Sequence, residues 1–326
     1  MKYLLLTTSP FQLLNALIYS LEDRQPSLFL VINENSYSST ELGQFEFLSN
    51  IFNVSIIKID NKFWLGDYLE IKSFISSSFD CLIFGPNNHW SAFLAATLPI
   101  RKAVIVDDGA HSLSVFNLIE GRSIVKNLIL ELLADVFDYF ISKKQVERLS
   151  LFNLETKYRL IAPDYKKLNS LSLTTKLDYS FSENSILFVG TPISEAGIIT
   201  LETEVSSIAK ARNFFNDLIE RGNHTFLYVA HRRDSNEKLK KLCDLGIKIL
   251  RLLGPLELYL AESLTHSEVR LCSLTSTVLF SAKNMGYRSY YISSFEVAET
   301  QFLKEYSEKY ERIYKSFKES GFVIIS

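Results

Sequence analysis

Residues 104–112 read VIVDDGAHS. The run Ala103-Val104-Ile105-Val106 is apolar and β-branched, the signature of a buried strand. Asp107 and Asp108 follow at its carboxyl end, with Gly109 behind them, where open α/β sheets place their ligands. Like charges side by side repel, and burial raises the pKa of at least one of them. Asp-Gly is also a common turn, and Asp a common helix cap, so the pair alone leaves both readings open.

Working outward, the first half alternates. Apolar strands are expected at Tyr3–Leu6, Leu28–Ile32, Val54–Ile59, Cys81–Phe84, Ala103–Val106 and Tyr139–Ile141, with helical stretches at 10–22, 41–52, 67–77 and 124–135. Ser9 before Pro10 reads as an N-cap with proline at the first helical position. Strands alternating with helices imply a parallel sheet covered on both faces. Residues 151–183 are polar and irregular and read as a crossing between domains. A second series follows: strands in SILFVG, TFLYVA, IKILRL and EVRLCS, with RSYYIS as the last, and helices at 202–221, 235–244, 255–263 and 276–286. The tail 297–318 reads as an amphipathic helix with Phe302, Tyr306, Tyr310, Ile313 and Phe317 as its apolar row.

The expected organisation is a Rossmann-like domain over 1–175, a second over 176–300, and a C-terminal helix over 301–326 returning to the first domain. Two such halves describe the α/β GT-B architecture, shared by nucleotide-sugar transferases, some epimerases and phosphorylases. The active site is then expected in the cleft, at strand carboxyl ends.

Composition narrows the class. The chain has 326 residues, 47% hydrophobic and 22% charged, with a net charge of -2. That balance fits a globular protein and gives no footprint for nucleic acid. Cys81, Cys243 and Cys272 are widely spaced, which fits a reducing compartment rather than a disulfide framework or a zinc site. The opening apolar run is interrupted by Pro10, Gln12 and Asn15, unlike a signal peptide, and no segment has 18 uncharged apolar residues in a row. A cytoplasmic protein is expected, with peripheral contact at the inner membrane face left open. GxGxxG after the first strand, GxxxxGK[ST], GxSxG, HExxH and DxD are all missing from the sequence, so a dinucleotide fold, a P-loop, a hydrolase elbow and a metal site are not expected.

Every polar cluster of interest follows a strand. After SILFV comes GTPISEAG, where Gly190 and Thr191 offer an amide and a hydroxyl to an anion and Glu195 supplies a carboxylate. After TFLYVA comes HRRD, with His231 at the strand exit and Arg232 and Arg233 beside it, a phosphate-binding combination. Glu257 stands in the first turn of a helix, where a carboxylate also complements the helix dipole. Ser273, Thr275, Ser276 and Thr277 open another helix, whose free amides and hydroxyls suit phosphate and equally suit simple capping. Lys143, Lys144, Arg148, Lys157 and Arg159 form a scatter of positive charge that reads as a solvated helix face or the edge of a basic groove.

Asp107-Asp108-Gly109, His231-Arg232 and Ser276-Thr277, in this order, resemble the acidic-pair-glycine, His-Pro and Ser-Ser/Thr motifs of bacterial sialyltransferases. The chain is most similar to the lipooligosaccharide sialyltransferase and capsular polysialyltransferase type. TTSPFQLLNA and FVGTPISEAGII also resemble segments of those families. Arg232 stands where the family has proline. The resemblance implies an inverting, metal-independent GT-B transferase moving sialic acid from CMP-sialic acid to a hydroxyl of a surface glycan, lipooligosaccharide or capsule, with no cofactor. His231 and Arg232 would then serve the leaving phosphate with Gly190, Thr191, Ser276 and Thr277, and Glu257 the ribose. Gly109 and Gln12 would contact substrate. Asp107 is the expected base, Asp108 its modulator and Glu195 the rival base. A donor carrying another nonulosonic acid or Kdo, an epimerase, and a homodimer stay open.

Overall fold

The computed structural model describes residues 1–33, 37–59, 79–85, 98–107, 144–151, 159–171, 177–182, 184–222, 224–263, 269–287, 290–293 and 304–325. The chain divides into two compact units, Met1–Lys167 and Leu168–Ser326, where sequence placed the boundary at 175. The expected strand Tyr139–Ile141, the helical stretches 67–77 and 124–135, and Asp108, Gly109, Lys143, Lys157 and Phe302 lie outside the described residues.

The first unit carries strands β1 (Lys2–Leu6), β2 (Ser27–Asn33), β3 (Ser55–Ile59), β4 (Cys81–Phe84), β5 (Lys102–Val106), β6 (Gln145–Leu149) and β7 (Arg159–Ile161). They form one sheet in the order β3-β2-β1-β4-β5-β6-β7, and every pairing is parallel. Its central strands read as unbroken apolar runs because both faces are covered. Leu4, Leu5, Leu82, Ile83, Ala103 and Val104 are all buried. Helix α1 (Pro10–Ser20) begins as expected, with the Ser9 hydroxyl accepting from the Gln12 amide and Pro10 at the first position. Only Phe11 of α1 escapes full burial, and the helix packs on β1, β5 and α2 (Ser39–Phe52). α2 opens with a capping box between Ser38 and Glu41 and closes on Asn53 in the left-handed region.

The second unit repeats the plan with β8 (Ser185–Val189), β9 (Thr225–Val229), β10 (Lys248–Leu250), β11 (Arg270–Ser273), β12 (Tyr290–Ser293) and β13 (Val323–Ile325), again all parallel, in the order β10-β9-β8-β11-β12-β13. Its helices are α3 (Leu201–Phe214), α4 (Asn216–Gly222), α5 (Asn236–Asp244), α6 (Leu256–Glu262), α7 (Val278–Met285) and α8 (Lys304–Glu319). In both sheets the first strand is central, and the chain fills one side before crossing to the other. The topological switch therefore falls between β1 and β4 in one unit and between β8 and β11 in the other, where such sheets bind ligands.

Three sequence expectations need correction. Arg148 and Arg159 are not on a helix face: Gln145–Leu149 and Arg159–Ile161 are strands β6 and β7, and the second lies within the stretch read as an irregular crossing. RSYYIS is not the last strand, because β13 adds to β12 in parallel after α8. The long helix at 202–221 is broken at the buried Phe215.

The tail contributes apolar packing within its own unit. Ile313 and Phe317 of α8 are buried, and the Phe317 ring lies 4.7 Å from Phe280 and 5.2 Å from Phe322. Among the described residues, no helix is long and apolar enough to cross a membrane.

Candidate active site

Asp107 directly follows β5 and is 3% exposed. Its backbone amide donates to the Leu149 carbonyl at 3.1 Å, which extends the β5–β6 pairing by one step. Side chains two apart on a strand share a face, and Arg148 is the register partner of Ile105, so Arg148 and Asp107 are diagonal neighbours on that face. Arg148 Nε and Nη2 donate to Asp107 Oδ1 at 2.9 and 2.7 Å. By sequence Arg148 reads as one of a scatter of positive charges; the strand places it on the carboxylate instead.

Glu147, its neighbour, points to the opposite face. It is buried and takes an ion pair from Lys102 at 3.0 Å, with the Tyr19 hydroxyl donating to it at 2.5 Å. These contacts hold its carboxyl below the ordinary range despite burial, which works against ionisation.

At the β1–β4 switch, the Gln12 side chain folds back over the loop after β1. Its Oε1 accepts from the Thr8 amide at 2.8 Å and the Thr8 hydroxyl at 2.9 Å. A Cβ on Gly85, at the end of β4, would lie within 2.4 Å of this amide group, so only glycine leaves room for it. Gln12 Nε2 and Thr7 Oγ1 are buried without a hydrogen-bond partner among the described residues.

In the second unit, the selected residues fall at the carboxyl ends of β8, β9 and β11 and at the start of α6. The Gly190 amide donates to the Val229 carbonyl at 2.9 Å, so it is not the free anion donor expected from sequence, and a Cβ there would come within 2.6 Å of the Tyr228 hydroxyl. The glycine is demanded by this packing. Thr191 Oγ1 is buried and unpartnered among the described residues. Across the switch, the Ser273 hydroxyl donates to the Val189 carbonyl at 2.7 Å and accepts from the Ser276 amide at 3.1 Å. Ser276 Oγ accepts from the Val278 amide at 3.3 Å. Thr277 stands at the N-cap of α7 but makes no side-chain capping bond.

His231 leaves β9 with its backbone amide donating to Asp234 Oδ2 at 2.7 Å. Its Nδ1 accepts from the Arg233 amide at 3.1 Å. An imidazole nitrogen that accepts carries no proton, so the neutral ring holds its proton on Nε2. Burial, with Arg232, Arg233 and Lys238 nearby, lowers the His231 pKa to about 3. The ring is therefore a neutral Nε2–H donor at physiological pH.

Glu195 is bound into the scaffold. Its Oε1 accepts from the Ser235 amide at 2.8 Å, and its Oε2 lies 3.1 Å from Lys238 Nζ. These contacts hold its carboxyl below the ordinary range even though burial pushes the other way. Glu257 is wholly buried in the first turn of α6, where the Ser281 hydroxyl donates to it at 3.2 Å. Burial raises its pKa to about 7.

Sequence reading missed Asp234, Lys238 and Glu204, which gather beneath the His231 loop. The Asp234–Lys238 spacing of four, with Asp234 just before the Ser235 cap of α5, was the available signal. Among the described residues, no three His, Cys, Asp or Glu side chains gather as a metal site.

The comparisons agree with this architecture. No curated protein matches the chain. The GT-B domain of a sialyltransferase from Photobacterium damselae aligns with a TM-score of 0.55 at 11% identity, over 99% of this chain and 97% of that one. A UDP-GlcNAc 2-epimerase from Methanocaldococcus jannaschii aligns with a TM-score of 0.50 at 13% identity, over 98% and 92%. At such identities the likeness is one of fold, and it is the GT-B fold. The family description "Alpha-2,8-polysialyltransferase (POLYST)" matches residues 4–286. That span includes both switch points, Asp107, His231 and the Ser276-Thr277 helix start, and on it the chain belongs to the alpha-2,8-polysialyltransferase family, a family of glycosyltransferases.

Proposed function

We propose that the protein transfers sialic acid from CMP-sialic acid to a hydroxyl of a bacterial surface glycan, with inversion and without a metal. The observation that carries this reading is His231, fixed as a neutral Nε2–H donor at a strand exit in the unit that also presents Thr191, Ser276 and Thr277. In the reaction the bond between the anomeric carbon and the CMP phosphate oxygen breaks, and its electron pair leaves with CMP. The Nε2–H of His231 donates to that phosphate, with the α7 N-terminus and the Thr191 and Thr277 hydroxyls as further donors. Arg232 adds positive charge. Glu257 serves the ribose through a carboxyl whose pKa burial raises to about 7. The acceptor hydroxyl forms the new bond at the anomeric carbon and gives its proton to Asp107, whose orientation Arg148 sets. Family membership supports a sialylated acceptor, so that the product is a longer sialic acid chain.

The test is incubation with CMP-sialic acid and a series of sialylated oligosaccharides, reading CMP release and product mass together. CMP release with chain extension supports the reading. Turnover only with another CMP-activated acid would change the donor. Turnover of a UDP-sugar without CMP release would replace the reading by an epimerase.

A further inference from the structure

Lys238, in the first turns of α5, is fully buried, and its ammonium group is surrounded by oxygen. Nζ lies 3.0 Å from the Thr191 carbonyl, 2.8 Å from Asp234 Oδ1, 3.1 Å from Glu195 Oε2 and 2.6 Å from Glu204 Oε1. These oxygens come from different segments. Thr191 and Glu195 belong to the loop after β8, Asp234 to the loop after β9, and Glu204 to α3. The partners are held in turn. Glu204 Oε2 accepts from the Ser194 amide at 3.0 Å. Asp234 Oδ2 accepts from the Tyr228 hydroxyl at 2.9 Å and from the His231 amide at 2.7 Å. Glu195 accepts from the Ser235 amide, and the Ser235 hydroxyl caps α5 by accepting from the Lys238 amide at 3.2 Å.

We infer that Lys238 is a positioning residue: its buried ammonium clamps the loop 190–197 to the loop 231–235 and so fixes where the His231 imidazole stands. The inference rests on the reading of His231 given above. Removing a buried ammonium from water is costly, and a buried ion cluster replaced whole by well-packed apolar side chains often loses little stability, whereas removing one partner alone is strongly destabilising. Stability alone therefore gives no reason for this arrangement. Position does. The carboxylate that holds the His231 amide is itself held by Lys238, and the same Nζ holds the carbonyl of Thr191 on the neighbouring strand exit. A small displacement of a catalytic donor costs about 10²-fold in rate.

The experiment uses the full chain with Lys238→Met and Asp234→Asn. The second variant retains an oxygen for the His231 amide but loses the charge that Lys238 holds, and it serves if the first does not fold. Lys241→Ala is the control: this lysine lies on the same helix in partly exposed pairs with Glu202 and Glu237. Nitrogen NMR of the His231 ring is recorded from pH 5 to 8. In the wild type and in Lys241→Ala, one tautomer with the proton on Nε2 is expected throughout. In a folded Lys238→Met or Asp234→Asn, mixed tautomers or titration inside this range are expected, with transfer at saturating donor lowered about 10- to 100-fold. An unchanged His231 signal in a folded variant overturns the inference. The ring is read without turnover, so an inactive wild type with the expected ring response would sink the proposed reaction and leave the clamp standing.

Discussion

Arg148 grips Asp107 from the neighbouring strand, with Nε at 2.9 Å and Nη2 at 2.7 Å from the same carboxylate oxygen. The contact spans 41 residues of sequence and two strands in register. It fixes the rotamer of the carboxylate assigned the acceptor's proton. Arg148→Ala is expected to lower the rate of transfer about 10- to 100-fold by loosening that geometry. CMP affinity is expected to stay within about threefold, because the proposed phosphate donors all lie in the second unit. Rates at saturating donor, with CMP titrated separately, read the two effects. A large loss of CMP affinity with an intact rate would remove Arg148 from the acceptor side.

Glu257 sets a pH dependence whose sign can be worked out. Its folded-state pKa, raised to about 7, lies above the ordinary 4.5. The native state therefore holds the proton more tightly than the unfolded chain. The stability this supplies is complete below about pH 4.5 and is lost as pH rises through about 7. The difference approaches about 3 kcal/mol. Urea denaturation from pH 5 to 8.5 is expected to show a smaller fall for Glu257→Gln than for the wild type. Parallel curves would mean that the carboxyl is not carried neutral into the fold.

Transfer is expected to persist in excess EDTA. In the proposed reaction the His231 Nε2–H, the α7 N-terminus, the Thr191 hydroxyl and Arg232 are the donors and positive charge for the phosphate. Activity recovered only on adding a divalent cation would show that these groups are insufficient.

Phe317 is fully buried against Phe280 and Phe322. Phe317→Ala leaves a cavity there and is expected to cost about 3–5 kcal/mol, read as a lower urea midpoint. A loss below about 1 kcal/mol would mean that the tail contributes little to the second unit.

The strand exits were legible because parallel strands buried on both faces read as plain apolar runs, and the polar residues that interrupt them stand out. KAVIV before Asp107, SILFV before Gly190 and TFLYV before His231 are of this kind. QVERL of β6 was not legible. Glu147 and Arg148 look solvated until their partners are known, and Lys102, Tyr19 and Asp107 lie far away in sequence. The Lys238 clamp was hidden for the same reason. NEKLKKLCD reads as a charged surface helix; the Asp234–Lys238 spacing hints at one ion pair, but the burial of that lysine against Glu195 and Glu204 depends on distant segments that no local pattern brings together. Gly190 reads in sequence as an amide for an anion, but its N–H is spent on the Val229 carbonyl and its missing side chain makes room for the Tyr228 ring.

Asp107→Asn and Glu195→Gln separate the two carboxylates that sequence left as rival bases. Asn keeps the shape of Asp107 and can still accept a hydrogen bond from Arg148, but it cannot take the acceptor's proton. Transfer is therefore expected to fall about 10²–10⁴-fold with CMP binding nearly intact. Glu195 binds the Ser235 amide through one oxygen and Lys238 through the other. A glutamine keeps the first bond and weakens the second, so its effect is expected on the loop. CMP affinity, folding stability and the His231 ring signal should change together, with a smaller loss of transfer than at Asp107. Both variants retain hydrogen-bonding capacity, so the contrast isolates proton acceptance from placement. If Glu195→Gln abolishes transfer while leaving CMP binding and the His231 signal untouched, and Asp107→Asn remains active, Glu195 is the base and the Asp107–Arg148 pair is a strut of the first sheet.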